Sequence, residues 1–142
     1  MTGHARLGTE GGSVSIFLVG LATALLMMAG LLYDGGQILA ARREAFALAD
    51  NAARAGAQAV DLDLIRSGGP ARLAPVAAEI AARGYLERAG HQGTVVVGAD
   101  RVEVTVSTTA ELHMLQMVGL KSRTVTGTGE ARIVRGITTP ED

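Results

Sequence analysis

The most marked pattern along the chain is an uninterrupted apolar run over residues 13–33, SVSIFLVGLATALLMMAGLLY, which contains no charged side chain. At about 1.5 Å per residue, a helix of this length reaches roughly 32 Å, and the hydrocarbon core of a bilayer is about 30 Å thick. A cleaved signal peptide would have a more cationic start, a shorter apolar core and a small-residue exit. A buried core helix would need a larger protein around it. We therefore predict one transmembrane helix over 13–33, after a short tail over 1–12.

An alanine-rich segment follows the apolar run, and no proline interrupts it before Pro70. Alanine has the highest intrinsic helix propensity, so the helix is predicted to leave the membrane and continue over residues 34–67. Asp34 is interpreted either as the cap of a new helix start or as a marker of the membrane interface. Gly35 and Gly36 each cost about 1 kcal/mol relative to alanine within a helix, and the pair predicts a hinge.

The same rod carries a stripe of mostly small residues that recur at seven-residue spacing, with further members three or four positions away. The predicted packing stripe consists of Leu32, Leu39, Phe46, Ala49, Ala53, Gly56 and Val60. It could pack on the protein's own sheet or on the helices of other subunits. Both interpretations can hold on different parts of the rod.

The second half of the chain changes from helical to strand periodicity. The sequence Ser-Gly-Gly-Pro at 67–70 predicts the end of the rod, and apolar positions at three- and four-residue spacing predict a second helix over 71–89. From Thr94 the period becomes two, which predicts a β-hairpin with its turn at residues 98–100. Val102, Val104 and Val106 share one face of the second strand.

A third strand is predicted over residues 123–135, and one of its faces carries very little side chain. This face consists of Val125, Gly127, Gly129, Ala131 and Ile133. Such a face suits a helix backbone that lies close on the sheet. The predicted fold is therefore α+β: the transmembrane helix continues as a long alanine-rich helix, and a second helix and a three-stranded antiparallel sheet form a domain over 71–136. A disordered tail is predicted over 137–142.

Residues 112–120, LHMLQMVGL, are apolar on more than one side. One interpretation is a short crossover helix that fills the core. The other is a surface that docks on lipid or on a partner, since methionine-rich apolar surfaces adapt to what they contact. The residues that would form this surface are Leu112, Met114, Leu115, Met117 and Val118.

Composition excludes several function classes. The chain has no cysteine and a formal net charge of -1, and its basic residues are scattered, so it offers no disulfide, thiolate zinc site or nucleic-acid patch. His4, His91 and His113 lie in three different segments without metal-ligand spacing. No catalytic or phosphate-binding motif is present. We predict a non-enzymatic protein with no catalytic, cofactor-binding or metal-ligating residues, no cofactor, and neither nucleic acid nor a small molecule as partner.

With these residues in place, the chain resembles the TadE/TadG-like proteins of tight-adherence (Flp, type IVb) pilus systems. The likeness covers about the first 60 residues, and later features, such as Gly119-Leu120 and the Thr/Val/Ala strand, add to it. The segments that carry it are GSVSIF at 12–17, the apolar span, YDGG at 33–36, LAARR at 39–43 and ADNAARAGA at 49–57.

The resemblance implies a pilin-like minor subunit or assembly component of a bacterial pilus or related secretion machinery. It implies anchoring in the cytoplasmic membrane with an extracytoplasmic C-terminal domain, although Arg6 before the span and Arg42 and Arg43 after it lean slightly the other way. The implied partners are the bilayer, other pilin-like subunits and pilus-assembly membrane proteins. It also implies cleavage by a prepilin peptidase between Gly12 and Ser13. Pilins of this kind have a glutamate five residues after the cleaved bond, whereas this chain has Phe17 there.

The alternative function is a solitary membrane-anchored binding module. It would use the apolar segment 112–120 or the sheet to contact a ligand or partner outside the cytoplasm. This alternative predicts that the C-terminal domain, rather than the rod, carries the interaction.

Overall fold

A computed structural model describes residues 10–133 and confirms the α+β class. The elements are α1 (Glu10–Ala57), α2 (Leu62–Arg66), α3 (Pro75–Arg88), β1 (Gly93–Val97), β2 (Arg101–Glu111) and β3 (Ser122–Arg132), with a 3-10 turn, η1 (Leu115–Val118), between β2 and β3. The predicted C-terminal tail, most of the N-terminal tail including Arg6, and the last residues of the predicted third strand lie outside the described residues.

Helix α1 dominates the molecule. Its 48 residues reach about 72 Å at roughly 1.5 Å per residue, and it is continuous across residues 34–36. Residues 12–29 are all exposed, because no other part of the described chain covers them. The helix is long and apolar enough to cross a membrane, with a mean hydropathy of 2.3 in its most apolar window and none of that window buried. It is a candidate membrane span, as the apolar run predicted.

The alanine-rich rod is shorter than its composition predicts, because α1 ends at Ala57 and not near residue 67. The chain turns through a hydrogen bond from the Ala59 N–H to the Gly56 carbonyl, 3.0 Å long. Val60 then forms an isolated antiparallel bridge with Leu73. Pairing with a distant extended segment therefore overrides local helix propensity at this point.

The same pairing delays the start of the next helix, which was predicted at residue 71 and begins at Pro75. The Leu73 N–H donates to the Ala99 carbonyl at 3.2 Å, and the Ala74 N–H donates to the Ala59 carbonyl at 2.9 Å. These bonds hold the residues before Pro75 in extended conformation. Proline suits the first helical position because it needs no N–H partner there.

The sheet is antiparallel in the order β1-β2-β3, which confirms the predicted hairpin and third strand. Val104 pairs with Val95 on one side and with Gly129 on the other. The inward face of β2 forms the centre of the core together with alanines of α1 and α3. The fully buried core residues include Ala49, Ala52, Ala53, Ala78, Ala82, Val102, Val104 and Val106.

The glycines of β3 allow α1 to lie directly on the sheet, as the small-residue face predicted. A Cβ atom added at Gly127 would lie 2.7 Å from the Ala45 carbonyl oxygen, and one added at Gly129 would lie 2.5 Å from the Asp50 Cα. Both clashes are with helix backbone, which cannot move aside as a flexible side chain can. The backbones of α1 and β3 therefore meet without intervening side chains.

Gly127→Ala and Gly129→Ala are expected to destabilise the packing of the sheet on α1 by about 1–3 kcal/mol each, the usual cost of overpacking a tight contact. The measurement is thermal unfolding of the full chain in detergent, followed by circular dichroism and by hydrogen exchange of the β2 and β3 amides. Gly84→Ala is the matched control, since its added Cβ would make an ordinary 3.6 Å contact with Arg88. Equal stability of all three variants would contradict the proposed close contact.

Gly35→Ala combined with Gly36→Ala is expected to stiffen α1 and to leave the outer domain folded. Neither added Cβ would meet any atom within 4 Å, and alanine favours the helix by up to about 1 kcal/mol per site. Spin labels placed on either side of residues 35–36 would show a narrower distance distribution if these glycines form a hinge. An unchanged distribution, or loss of the folded sheet, would contradict the hinge.

Candidate functional site

Asp34 lies immediately after the predicted span and is fully buried. It is the one charged side chain that is buried within residues 12–133. A carboxylate in such a position is costly unless hydrogen-bond donors surround it. Its partners therefore indicate what this part of α1 does.

The donors are three successive backbone N–H groups from the far end of the sheet. His113 donates to Oδ1 at 2.9 Å and Leu115 donates to Oδ2 at 2.6 Å. The N–H of Met114 contacts both oxygens, at 3.2 Å and 2.9 Å. An ionised carboxylate has only acceptor positions, so four contacts from N–H donors match it.

Asp34 thus joins α1 to the start of the 3-10 turn between β2 and β3. This finding corrects one interpretation drawn from the sequence, because α1 is continuous across Asp34 and no new helix begins there. The other, that Asp34 marks the membrane interface, stays a prediction. The carboxylate satisfies N–H groups at the start of a turn, as a helix-capping side chain does, but from 79 to 81 residues away along the chain. The connection between β2 and β3 is therefore attached to α1 beside the candidate span.

Two neighbours of Asp34 complete this attachment. The rings of Tyr33 and His113 meet edge to face with centroids 6.0 Å apart. One turn earlier in α1, Gly30 leaves room for Met114, since an added Cβ would lie 2.9 Å from Met114 Cγ. The connection between β2 and β3 therefore contacts α1 at Asp34 and also one turn earlier, within the predicted span.

Residues 112–120, called the apolar loop below, expose most of their apolar side chains. None of the η1 residues is buried, and the exposed fractions of Met117 and Val118 are 86% and 74%. The interpretation as a core-filling crossover helix is therefore wrong, because α1 passes beside the loop and not over it. Leu112 is the exception: it is only 5% exposed and belongs to the interior, so it does not form part of the predicted surface.

An open apolar cavity of about 590 Å³ separates the apolar loop from α1. The α1 side of the cavity begins at Leu26, and the loop side extends to Val118. The remaining lining residues are Met27, Met28, Gly30, Leu31, Met114, Leu115 and Met117. The cavity therefore lies against the C-terminal part of the candidate membrane span.

The predicted packing stripe divides into two parts. Ala49, Ala53 and Gly56 are buried against the protein's own core, whereas Leu32, Leu39 and Phe46 are 71%, 49% and 42% exposed. The buried face of α1 instead continues through Ala45, Ala41 and Asp34. Val60, the last predicted member, lies beyond the end of α1. The predicted stripe therefore identified this face only from Ala49 to Gly56. Before Ala49, α1 follows the sheet through alanines and Asp34 and not through its larger residues.

The described residues bring together no set of three His, Asp or Glu side chains that could hold a metal ion. His91 approaches Glu44, with Nε2 and Oε1 3.6 Å apart, and His113 packs on Tyr33. His4 lies outside the described residues. The contacts around Asp34 are hydrogen bonds and apolar contacts that attach a loop to a helix.

Sequence reasoning singled out Asp34 and the apolar loop separately and missed that they meet. Gly30 was missed as well. Two features of the sequence could have indicated this contact. One is a lone carboxylate directly after the predicted span, and the other is a loop with more apolar residues than the core can bury. Pairing the two needed the sheet register, which places the β2–β3 connection at the height of Asp34.

Residues 12–59 match the family model described as Putative Flp pilus-assembly TadE/G-like. The match includes the candidate span, Asp34 and α1 to its end. No curated protein and no solved structure matches the chain. The resemblance predicted from the sequence is thereby confirmed for residues 12–59, which form a Tad pilus-assembly-like segment.

Proposed function

We propose that the protein is a non-enzymatic, membrane-anchored component of a tight-adherence (Flp, type IVb) pilus, either a pilin-like minor subunit or part of the assembly machinery. It acts through helix–helix packing in and above the cytoplasmic membrane, with its C-terminal domain on the extracytoplasmic side. Its partners are other pilin-like subunits and pilus-assembly membrane proteins. The family match and the candidate span support this role, and the two faces of α1 carry the argument for its mechanism.

One face of α1 is occupied and the other is free for a partner. The occupied face holds the sheet through Ala41, Ala45 and Ala49, while Leu32 and Leu39 expose much of their side chains. Leu32 and Asp34 are two positions apart, which is about 200° around a helix of 3.6 residues per turn. A second helix can therefore pack on the exposed face without displacing the sheet.

The exposed face extends the surface of the span out of the membrane. Leu32 is at the end of the apolar run, Leu39 is two turns further on, and Phe46 follows with the Arg42 guanidinium 5.8 Å from the centre of its ring. A partner helix with an apolar stripe would contact the span in lipid and these residues above it. Such a continuous contact is the geometry that a bundle of pilin-like helices requires.

The second candidate function, a solitary binding module, is favoured by the exposed apolar loop. The loop does offer apolar surface, but that surface lies against the span and not at the distal end of the domain. A soluble ligand or partner would reach it only at the membrane. The pilus role therefore remains the proposal, and the two differ in which surface is essential.

Leu39→Arg combined with Phe46→Arg is expected to reduce the number of surface filaments to nearly that of a deletion strain, because two charges on the exposed face oppose apolar helix packing. Filaments are counted by electron microscopy, and adherence is measured in parallel. Leu62→Arg is the matched control, since Leu62 is 58% exposed and lies off α1. Normal piliation after deletion of the whole protein would contradict the pilus role, whereas a defect on deletion alone would contradict only this face.

Prepilin-peptidase cleavage between Gly12 and Ser13 is also proposed, since both residues are exposed in the first turns of α1. Intact-mass spectrometry of the membrane-extracted protein is expected to show a chain that begins at Ser13. A strain without the peptidase is the control and should keep the longer form. A mass that retains Arg6 in the presence of the peptidase would contradict cleavage and leave the N-terminus as a plain anchor.

A further inference from the structure

We propose that the apolar loop is a second membrane-contacting element, which enters the lipid beside α1 and takes acyl chains into the cavity between them. The loop enters the leaflet of the bilayer that faces the domain. This inference rests on the part of the proposed function that places α1 across the membrane. It adds to that function a surface on the domain itself.

The attachment of the loop determines its depth. Gly30, which contacts Met114, is four residues before Asp34, and Leu26, which lines the far end of the cavity, is eight residues before it. At about 1.5 Å per residue these positions lie roughly 6 Å and 12 Å towards the middle of the span. Elements that lie in the membrane interface enter by about 5–10 Å. A span over residues 13–33 therefore carries the loop into lipid with it.

Backbone hydrogen bonding makes this depth acceptable for an irregular segment. Unpaired N–H and C=O groups are excluded from hydrocarbon, so a loop can enter only if its polar backbone is satisfied. Asp34 accepts from three N–H groups of the loop. Further N–H groups are paired within or beside it: Leu112 with Lys121, Met117 with Met114, Gly119 with Gln116 and Leu120 with Leu115.

Most side chains of the loop suit lipid better than water, and His113 and Gln116 are its exposed polar ones. Residues 112–120 contain no Asp, Glu, Lys or Arg, and the first charged residue after them is Lys121. Met114, Met117, Val118 and Leu120 are all exposed. Lys121 is exposed as well and is long enough to reach the headgroups while the loop lies below them.

Lipid fits this surface better than a helix of another subunit. Leu32 and Leu39 lie about 160° and about 140° around α1 from Asp34 by the shorter way, so the side that suits partner helices is not the side of the loop. The cavity is open, apolar and lined in part by methionines, whose flexible side chains adapt to a mobile acyl chain. Surrounding lipid can fill such a space without a matching partner surface.

The test uses single cysteines, because the chain has none of its own. The full-length protein with Val118→Cys is spin-labelled in phosphatidylcholine–phosphatidylglycerol vesicles, and collision with oxygen is compared with collision with a water-soluble nickel chelate. Val76→Cys on α3 is the matched control, since Val76 and Val118 are 73% and 74% exposed. Leu18→Cys reports separately on the span. We expect lipid exposure at 118 and at 18, with 118 about 5–10 Å below the phosphates, and water exposure at 76.

Release of the loop is tested in the same labelled proteins. Asp34→Ala is expected to move the label at 118 into water and to leave the label at 18 unchanged. Asp50→Ala is the control on the same helix, because Asp50 makes an exposed ion pair with Arg54 at 2.6 Å. An unchanged depth at 118 after Asp34→Ala would overturn the role of Asp34 as the anchor of the loop.

Three other outcomes overturn the inference in distinguishable ways. Water exposure at 118 with lipid exposure at 18 rejects the loop insertion and leaves the proposed function intact. Shielding of 118 from both reagents, together with spin–spin broadening that increases with the protein-to-lipid ratio, shows that a second copy covers the loop. Water exposure at 18 rejects the span, and with it both the inference and the proposed function.

Discussion

Direct backbone contact between α1 and β3 is the constraint on which the rest of this structure depends. Gly127 and Gly129 leave no side chain between strand and helix, and the alanines of α1 fill the remaining space. Because the contact has no adaptable side chains, it permits essentially one register of helix on sheet. That register determines which end of the sheet lies beside the candidate span.

Asp34 depends on this register and adds a second point of attachment. Once β3 lies along α1, the β2–β3 connection reaches the helix where the apolar run ends, and the carboxylate meets three N–H groups there. The domain is then held both along the rod and at its base.

The same arrangement separates the surfaces of α1. Small residues face the sheet, and large apolar residues such as Leu39 and Phe46 face outward. The apolar loop between β2 and β3 lies on the side of Asp34. A helix packed on the outward face does not compete with the sheet or with the loop. The division explains why a protein of this size exposes so much apolar surface and why that surface falls into distinct regions.

The sequence by itself determined the candidate span, the period-two strands, the bare face of β3 and the TadE/G-like character of residues 12–59, because each depends on consecutive or regularly spaced residues. The α+β class followed from the same local patterns. These patterns can be identified without knowing which residues are in contact in the folded protein.

Only the tertiary structure decided where α1 ends, which of its faces is buried and what Asp34 does. Alanine propensity favours a helix past Ala57, but pairing of Val60 with Leu73 ends it. Seven-residue spacing selected Leu39 and Phe46, but burial follows the glycines of a strand some 80 residues away. The carboxylate and its donors are 79 to 81 residues apart, and contacts at such separation depend on how the elements dock.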